Sequence, residues 1–271
     1  MRECEVWSRV LELVMSELQT CGRPEDVIYW KRRALRVRNT WRLLRPGFEP
    51  SPFKTSYRSY LELMSGLYRE VASATGTRVI VDSSKRPSDA AVLPRLAGVT
   101  PYVVHLVRDP RAVAYSWRRP KLETDRADPR EMEVHGPTES SMYWLVWNLA
   151  ADAVRQAYGP TASMLVRYED FIGAPGSVLS SITEMVGEAT GLLPFIEGRL
   201  AQIGTTHTVS GNPDRFRTGL VELKRDDEWR THQPTADRIL STLPALPLLH
   251  RYGYPVTIRD RGSPSDSHAP R

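Results

Sequence analysis

Two short apolar runs, each ending in a polar loop that leads into helical sequence, constrain the fold more than any other feature of this chain. Val79-Ile80-Val81 runs into Asp82-Ser83-Ser84-Lys85, and PYVVHLV, residues 101–107, runs into Arg108-Asp109-Pro110. An unbroken β-branched run reads as a strand buried on both faces of a parallel sheet. A helix over SDAAVLPRLAG separates the two, and the helix SMYWLVWNLAADAVRQAYG precedes a third run, ASMLVRYED. Repeated strand, loop and helix predict a doubly wound parallel α/β sheet, in which ligands sit off the carboxyl ends of the strands. Both polar loops fall at such ends.

Elsewhere the pattern is mainly helical. Val6, Val10, Leu13, Val14 and Leu18 recur at helical spacing over residues 5–19, as do Tyr60, Leu63, Met64, Leu67 and Val71 over residues 57–75, with Gly76 placed as a cap. The basic run KRRALRVRNTWRLLRPG lies in a mixed segment and reads as a solvated helix face. Residues 118–140 lack apolar periodicity and predict a long exposed loop. A further helix is expected from about Gly176 to Gly191, then a polar stretch containing THTVSGNPDRFRTG and KRDDEWR. Residues 1–254 are expected to form one domain, and the Pro- and Ser-rich 255–271 a disordered tail.

A net charge of +5 over 271 residues favours an anionic ligand but does not by itself indicate nucleic acid. Basic and aromatic residues are not interleaved on any one element, which weighs against a nucleic-acid binder. Cys4 and Cys21 are the only cysteines, so neither a disulfide framework nor a structural zinc site is expected, and no metal is assigned. No apolar run reaches 18 residues and no leader-like segment opens the chain, so neither export nor membrane spanning is supported and a cytoplasmic location is the expectation.

The segment HLVRDPRAVAYSW puts Arg108 at the end of a strand and Ser116 about two turns into the following helix. A guanidinium fork, a hydroxyl and a helix N-terminus together suit a phosphate. The same spacing also fits Arg108 paired with Asp109 or another surface carboxylate, with Ser116 an ordinary helix residue.

HLVRDPRAVAYSW resembles the 3′-phosphate-binding segment of sulfotransferases that use 3′-phosphoadenosine 5′-phosphosulfate (PAPS), above all the carbohydrate sulfotransferases and related bacterial enzymes. The resemblance runs from about Tyr57 to Tyr254. It implies a P-loop nucleotide-kinase-like sulfotransferase fold, PAPS as co-substrate, and a carbohydrate, lipid or small-metabolite acceptor. Arg108 and Ser116 take the 3′-phosphate. VDSSKRPSDAAVLPRL is similar to the strand and loop facing the transferred sulfuryl group, which gives Lys85 a charge-stabilising role. LVRYED looks like the adenine-side strand, with Tyr168 as a contact. THTVSGNPDRFRTG is similar to the segment that closes over the adenine and returns Arg215 or Arg217, with Gly219, to the 3′-phosphate; DDEWR looks like the Asp-Trp-basic element that follows. Asp82, Glu123 and His135 are candidates for the base that accepts the acceptor's proton, whereas His105 reads as a core histidine.

The chain departs from the family at its start. A strand, a loop of Gly-Arg-Ser-Gly type and a helix hold the 5′-phosphosulfate in the family, and no such loop, nor any GxxxxGK[ST], occurs in this sequence. Either Met1 is internal to a longer reading frame or the chain is a truncated remnant. In both cases weak cofactor binding and little activity are expected of the polypeptide as given. The competing functions are a non-catalytic adenosine-3′,5′-diphosphate-binding pseudoenzyme and a P-loop kinase; the absent Walker lysine weighs against the kinase.

Overall fold

The computed structural model describes residues 4–21, 24–50, 54–120, 122–123, 130–131, 133–191, 193–205, 207 and 217–257. The architecture is α/β, about 56% helical, with a small parallel sheet. The chain forms two compact units, one comprising residues 1–107, 123–129 and 146–224, the other residues 108–122, 130–145 and 225–271.

In the first unit, α1 (Glu5–Cys21) and α2 (Pro24–Ala34) are followed by α3 (Thr40–Leu43) and the long α4 (Lys54–Thr75). Both α1 and α2 pack on α4. Val10 and Val14 of the expected α1 face are buried. Gly76 closes α4 with φ +66°, a left-handed conformation that glycine adopts without Cβ crowding. Trp30 is the centre of the core, its ring 5.0 Å from that of Tyr57 and 4.9 Å from that of Tyr60, and Leu35, Leu43, Ala91, Val92 and Val154 complete the cluster.

The expected strand at Val79–Val81 does not form. The segment has no regular secondary structure, and Val81 is 89% exposed. A strand needs a neighbour to pair its N–H and C=O groups, and no described residue pairs with this one. The helix expected over SDAAVLPRLAG is cut to α5 (Pro87–Ala90) and a 3₁₀ turn at Leu93–Arg95. Pro94 accounts for this, since it has no N–H to donate to the Ala90 carbonyl four residues back and its ring crowds that carbonyl.

The expected strand at PYVVHLV is β1 (Val103–Val107), and α6 (Pro110–Arg118) follows it directly. Residues 118–140 contain β2 (Leu122–Glu123) and β3 (Arg130–Glu131), and then α7 (Pro137–Tyr158) begins at its proline, a favoured first helical residue. The third expected strand is β4 (Ser163–Arg167). It runs parallel to β1, with Val103 level with Ser163 and Val107 level with Arg167. Within β1, His105 and Val107 are buried while Val104 and Leu106 are exposed, so one face is covered where two-sided burial was expected.

Two helices come next, α8 (Tyr168–Gly173) and α9 (Pro175–Met185), the latter within the expected helical stretch. An antiparallel sheet then forms from β5 (Phe195–Glu197), β6 (Leu200–Ile203) and β7 (Gly219–Glu222). In the second unit α6 packs against α10 (Trp229–His232) and α11 (Thr235–Leu249). Ala112, Ala114, Trp229, Ala245, Leu248 and Leu249 are buried there, and Trp144 meets Tyr252 edge-on with centroids 5.8 Å apart. Residues 258–271 of the expected tail lie outside the described residues.

Candidate functional site

Arg108 directly follows β1. Its backbone is anchored in the second unit, where the indole Nε1 of Trp144 donates to the Arg108 carbonyl at 2.9 Å. Asp109 caps α6, its carboxylate accepting from the Arg111 N–H at 2.9 Å, and Pro110 holds the first helical position, where a missing N–H costs nothing. The N-terminus of α6 is thus closed by the chain's own carboxylate. An anion held here would depend on side chains and not on free helix N–H groups, contrary to the expectation from the strand-loop-helix pattern.

Arg108 pairs with Asp226 and not with Asp109. Its Nη2 donates to Asp226 Oδ2 at 3.0 Å and to the Asp226 carbonyl at 3.1 Å. Arg119, just past the end of α6, also reaches Asp226 Oδ2, at 3.6 Å. Arg119 is positioned by Glu228 Oε2, 2.9 Å from its Nη1, and by the Tyr115 ring, 4.8 Å beneath its guanidinium. Ser116 lies on α6 as expected, the seventh residue of the helix, and is half-buried. Arg111 is a different kind of arginine, only 1% exposed. It grips Asp109 and donates to the carbonyls of Pro255 and Val256 at 2.9 and 3.1 Å, which ties down the segment after α11.

In the first unit, Asp82 and Lys85 share one exposed loop. Asp82 accepts from the Tyr68 hydroxyl at 2.5 Å and from the Ser84 N–H at 2.8 Å, which forms an Asx turn and not a helix cap, since α5 begins later, at Pro87. Burial and the bonded Asp82 carboxylate push the Tyr68 hydroxyl above its usual pKa range, so it stays protonated and remains the donor. Lys85 has φ +69°, the only described non-glycine residue in the left-handed region. Such conformations cost roughly 1–3 kcal/mol and cluster at functional loops.

No family model, curated protein or solved structure matches this chain.

The remaining expected residues are spread over three elements. Tyr168 is the first residue of α8, its hydroxyl 3.5 Å from the Lys224 carbonyl, at the outer limit of a hydrogen bond. Gly219 opens β7 opposite Ile203 with φ +87°, so the backbone itself calls for glycine at that position. Arg217 is exposed two residues before it, and Arg215 lies outside the described residues. Glu123 ends β2. His135 stands 3.3 Å from Glu139 through Nδ1 and packs between the rings of Trp117 and Tyr143, each 5.3 Å away. His105 is a core residue, 6% exposed, with Nε2 2.8 Å from Asn148 Oδ1 and Nδ1 3.6 Å from Asp152. Among the described residues, no cluster of His, Cys, Asp and Glu could hold a metal ion, and no helix is long and apolar enough to cross a membrane.

Asp226, Arg119 and Arg111 were not singled out from the sequence. Asp226 and Arg119 are 107 residues apart and meet only through the fold. The signal for Arg111 was local, since Asp-Pro-Arg at a strand-to-helix junction places a cap, a first-turn proline and a cation within reach of the cap.

Proposed function

We propose that this chain binds the 3′-phosphate of a 3′-phosphoadenosine nucleotide and serves sulfuryl transfer from PAPS to a hydroxyl group of a carbohydrate, lipid or small metabolite, in a doubly wound P-loop-kinase-like fold. The observation that carries the reading is Arg108. It follows a parallel strand, its carbonyl is pinned by Trp144, and its guanidinium already holds an oxyanion in the form of the Asp226 carboxylate. A planar fork that holds one carboxylate oxygen suits a phosphate oxygen equally well.

Bound PAPS would bring the activated sulfuryl group; the residues bind, orient and move protons. Arg108 and Ser116 donate to the 3′-phosphate. Lys85, exposed on its strained loop, offers a cation to charge developing on the transferred group. Tyr168, Arg217 and Gly219 keep the nucleotide roles the resemblance gives them. Of the three base candidates His135 is best prepared, because Glu139 at Nδ1 favours the tautomer that leaves Nε2 free to accept a proton. Asp82 is already engaged by Tyr68 and Ser84.

Calorimetric titration with 3′,5′-diphosphoadenosine and with adenosine 5′-phosphate tests the reading. A charge-assisted contact worth about 1.5–3 kcal/mol predicts roughly a tenfold to hundredfold preference for the 3′-phosphorylated nucleotide, lost in Arg108→Gln. Equal affinity for the two nucleotides overturns it. Transfer of labelled sulfate from PAPS to a panel of hydroxyl acceptors then separates an enzyme from a nucleotide-binding pseudoenzyme.

A further inference from the structure

We infer that Asp226 is an internal counter-anion that occupies a two-arginine oxyanion site, Arg108 with Arg119, and must be displaced before a phosphate-class ligand can bind there. The inference rests on the reading of Arg108 as a phosphate ligand. It adds a second ligand, Arg119, and a competitor built into the chain.

The two arginines come from opposite ends of α6 and converge on the same oxygen, Asp226 Oδ2, at 3.0 and 3.6 Å. Each is held independently of Asp226. Trp144 fixes the backbone of Arg108, and Tyr115 with Glu228 orients Arg119. Loss of the Asp226 carboxylate would therefore leave both guanidinium groups in place around a shared point, Arg119 still held by Glu228, which is a site for an anion rather than a collapsed contact.

Charge favours replacement. Asp226 brings a single negative charge to the point the two guanidinium groups share, with Glu228 on the far nitrogen of Arg119, whereas a phosphate monoester in place of Asp226 brings up to two charges and three oxygens. Displacement is also inexpensive. The Arg119 and Asp226 side chains are 40% and 33% exposed, and ion pairs open to solvent contribute little net stability. The neighbouring Asp227 pairs with Arg225 at 2.9 Å and Arg230 at 3.2 Å within the same segment, contacts that do not involve Asp226 and persist if it swings out. The apparent affinity of such a site is reduced by the fraction of time the carboxylate occupies it.

Isothermal titration at low salt, with inorganic phosphate and separately with 3′,5′-diphosphoadenosine, tests this on the full chain. Asp226→Asn keeps the side-chain shape and removes the charge, and it is expected to bind phosphate about tenfold more tightly than the unsubstituted protein. Arg119→Gln added to Asp226→Asn should abolish that gain. A folded Asp226→Asn protein with unchanged phosphate affinity overturns the inference. If Asp226→Asn unfolds, Arg119→Gln alone decides: a several-fold loss of phosphate affinity supports the site, and no change overturns it. Tighter phosphate binding without any preference for the 3′-phosphorylated nucleotide leaves the two-arginine site standing and sinks the nucleotide reading. A nucleotide preference that Asp226→Asn fails to strengthen does the reverse.

Discussion

Asp109 holds Arg111 through two hydrogen bonds, Nε to Oδ1 at 2.8 Å and Nη2 to Oδ2 at 2.7 Å, with both side chains all but excluded from solvent. Gln233 donates to the Arg111 carbonyl at 3.2 Å, and the Trp229 ring lies 5.5 Å from the guanidinium. The pair joins the α6 cap, α10 and the segment after α11 within one unit. Of the charged residues in Arg108-Asp109-Pro110-Arg111, two serve the fold, and Arg108 is left facing Asp226.

Arg111→Ala leaves the Asp109 carboxylate buried without its cation, and a broken buried pair costs about 3–5 kcal/mol. Denaturant unfolding should show a midpoint far below that of the unsubstituted protein. Arg111→Lys should recover only part of the loss, because an ammonium cannot make both bonds and also reach the carbonyls of Pro255 and Val256. An Arg111→Ala midpoint equal to that of the unsubstituted protein contradicts this structural role.

Ser116→Ala should lower affinity for 3′,5′-diphosphoadenosine by roughly tenfold, the worth of about one hydrogen bond to a charged group. It should leave the thermal midpoint unchanged or slightly raised, since alanine is the better helix former. Titration and thermal unfolding of the same preparation separate the two effects, and unchanged affinity removes Ser116 from the phosphate site.

Lys85→Gly relieves a left-handed backbone and is expected to hold or raise stability by up to about 1 kcal/mol. Lys85→Gln keeps the strain. Both should lose sulfuryl transfer alike if the ammonium stabilises the transferring group. Transfer retained in Lys85→Gln assigns the strained backbone to loop shape alone.

Burial raises the Asp89 carboxyl above its ordinary pKa of 3.8, opposed by Lys31 and Arg86. A folded value above the unfolded one means the folded state holds the proton more tightly. That stabilisation is fully present below the unfolded value and is lost as the pH rises through the folded value. Asp89→Asn should therefore melt above the unsubstituted protein at neutral pH, with the gap closing near about pH 3. Thermal scans at the two pH values check it, and a gap that widens on acidification reverses the sign of the argument.

Much of the helical layout was legible in the sequence. Val10 and Val14 on α1, Tyr60 on α4, and the closing glycine at position 76 all follow from local periodicity and capping, which depend on residues a turn apart. The unit of strand, Arg108 and helix was legible for the same reason. Val79–Val81 was misread because a β-branched run records willingness to be a strand, while strand formation needs a partner that the run cannot specify. The Asp226 contact was out of reach, because an acidic residue in KRDDEWR carries no local sign of which arginine it will meet.

The α6 junction was legible from local sequence: a helix opening at Pro110, with Arg108 and Ser116 eight residues apart on either side of its start. Each of these depends on chain-local geometry. What those side chains meet was set by packing across the fold. It closed the helix N-terminus with Asp109, buried Arg111 against the segment after α11, and set Asp226 on Arg108 beside Arg119. Through-space pairing over more than 100 residues depends on how elements pack, and local periodicity does not encode it.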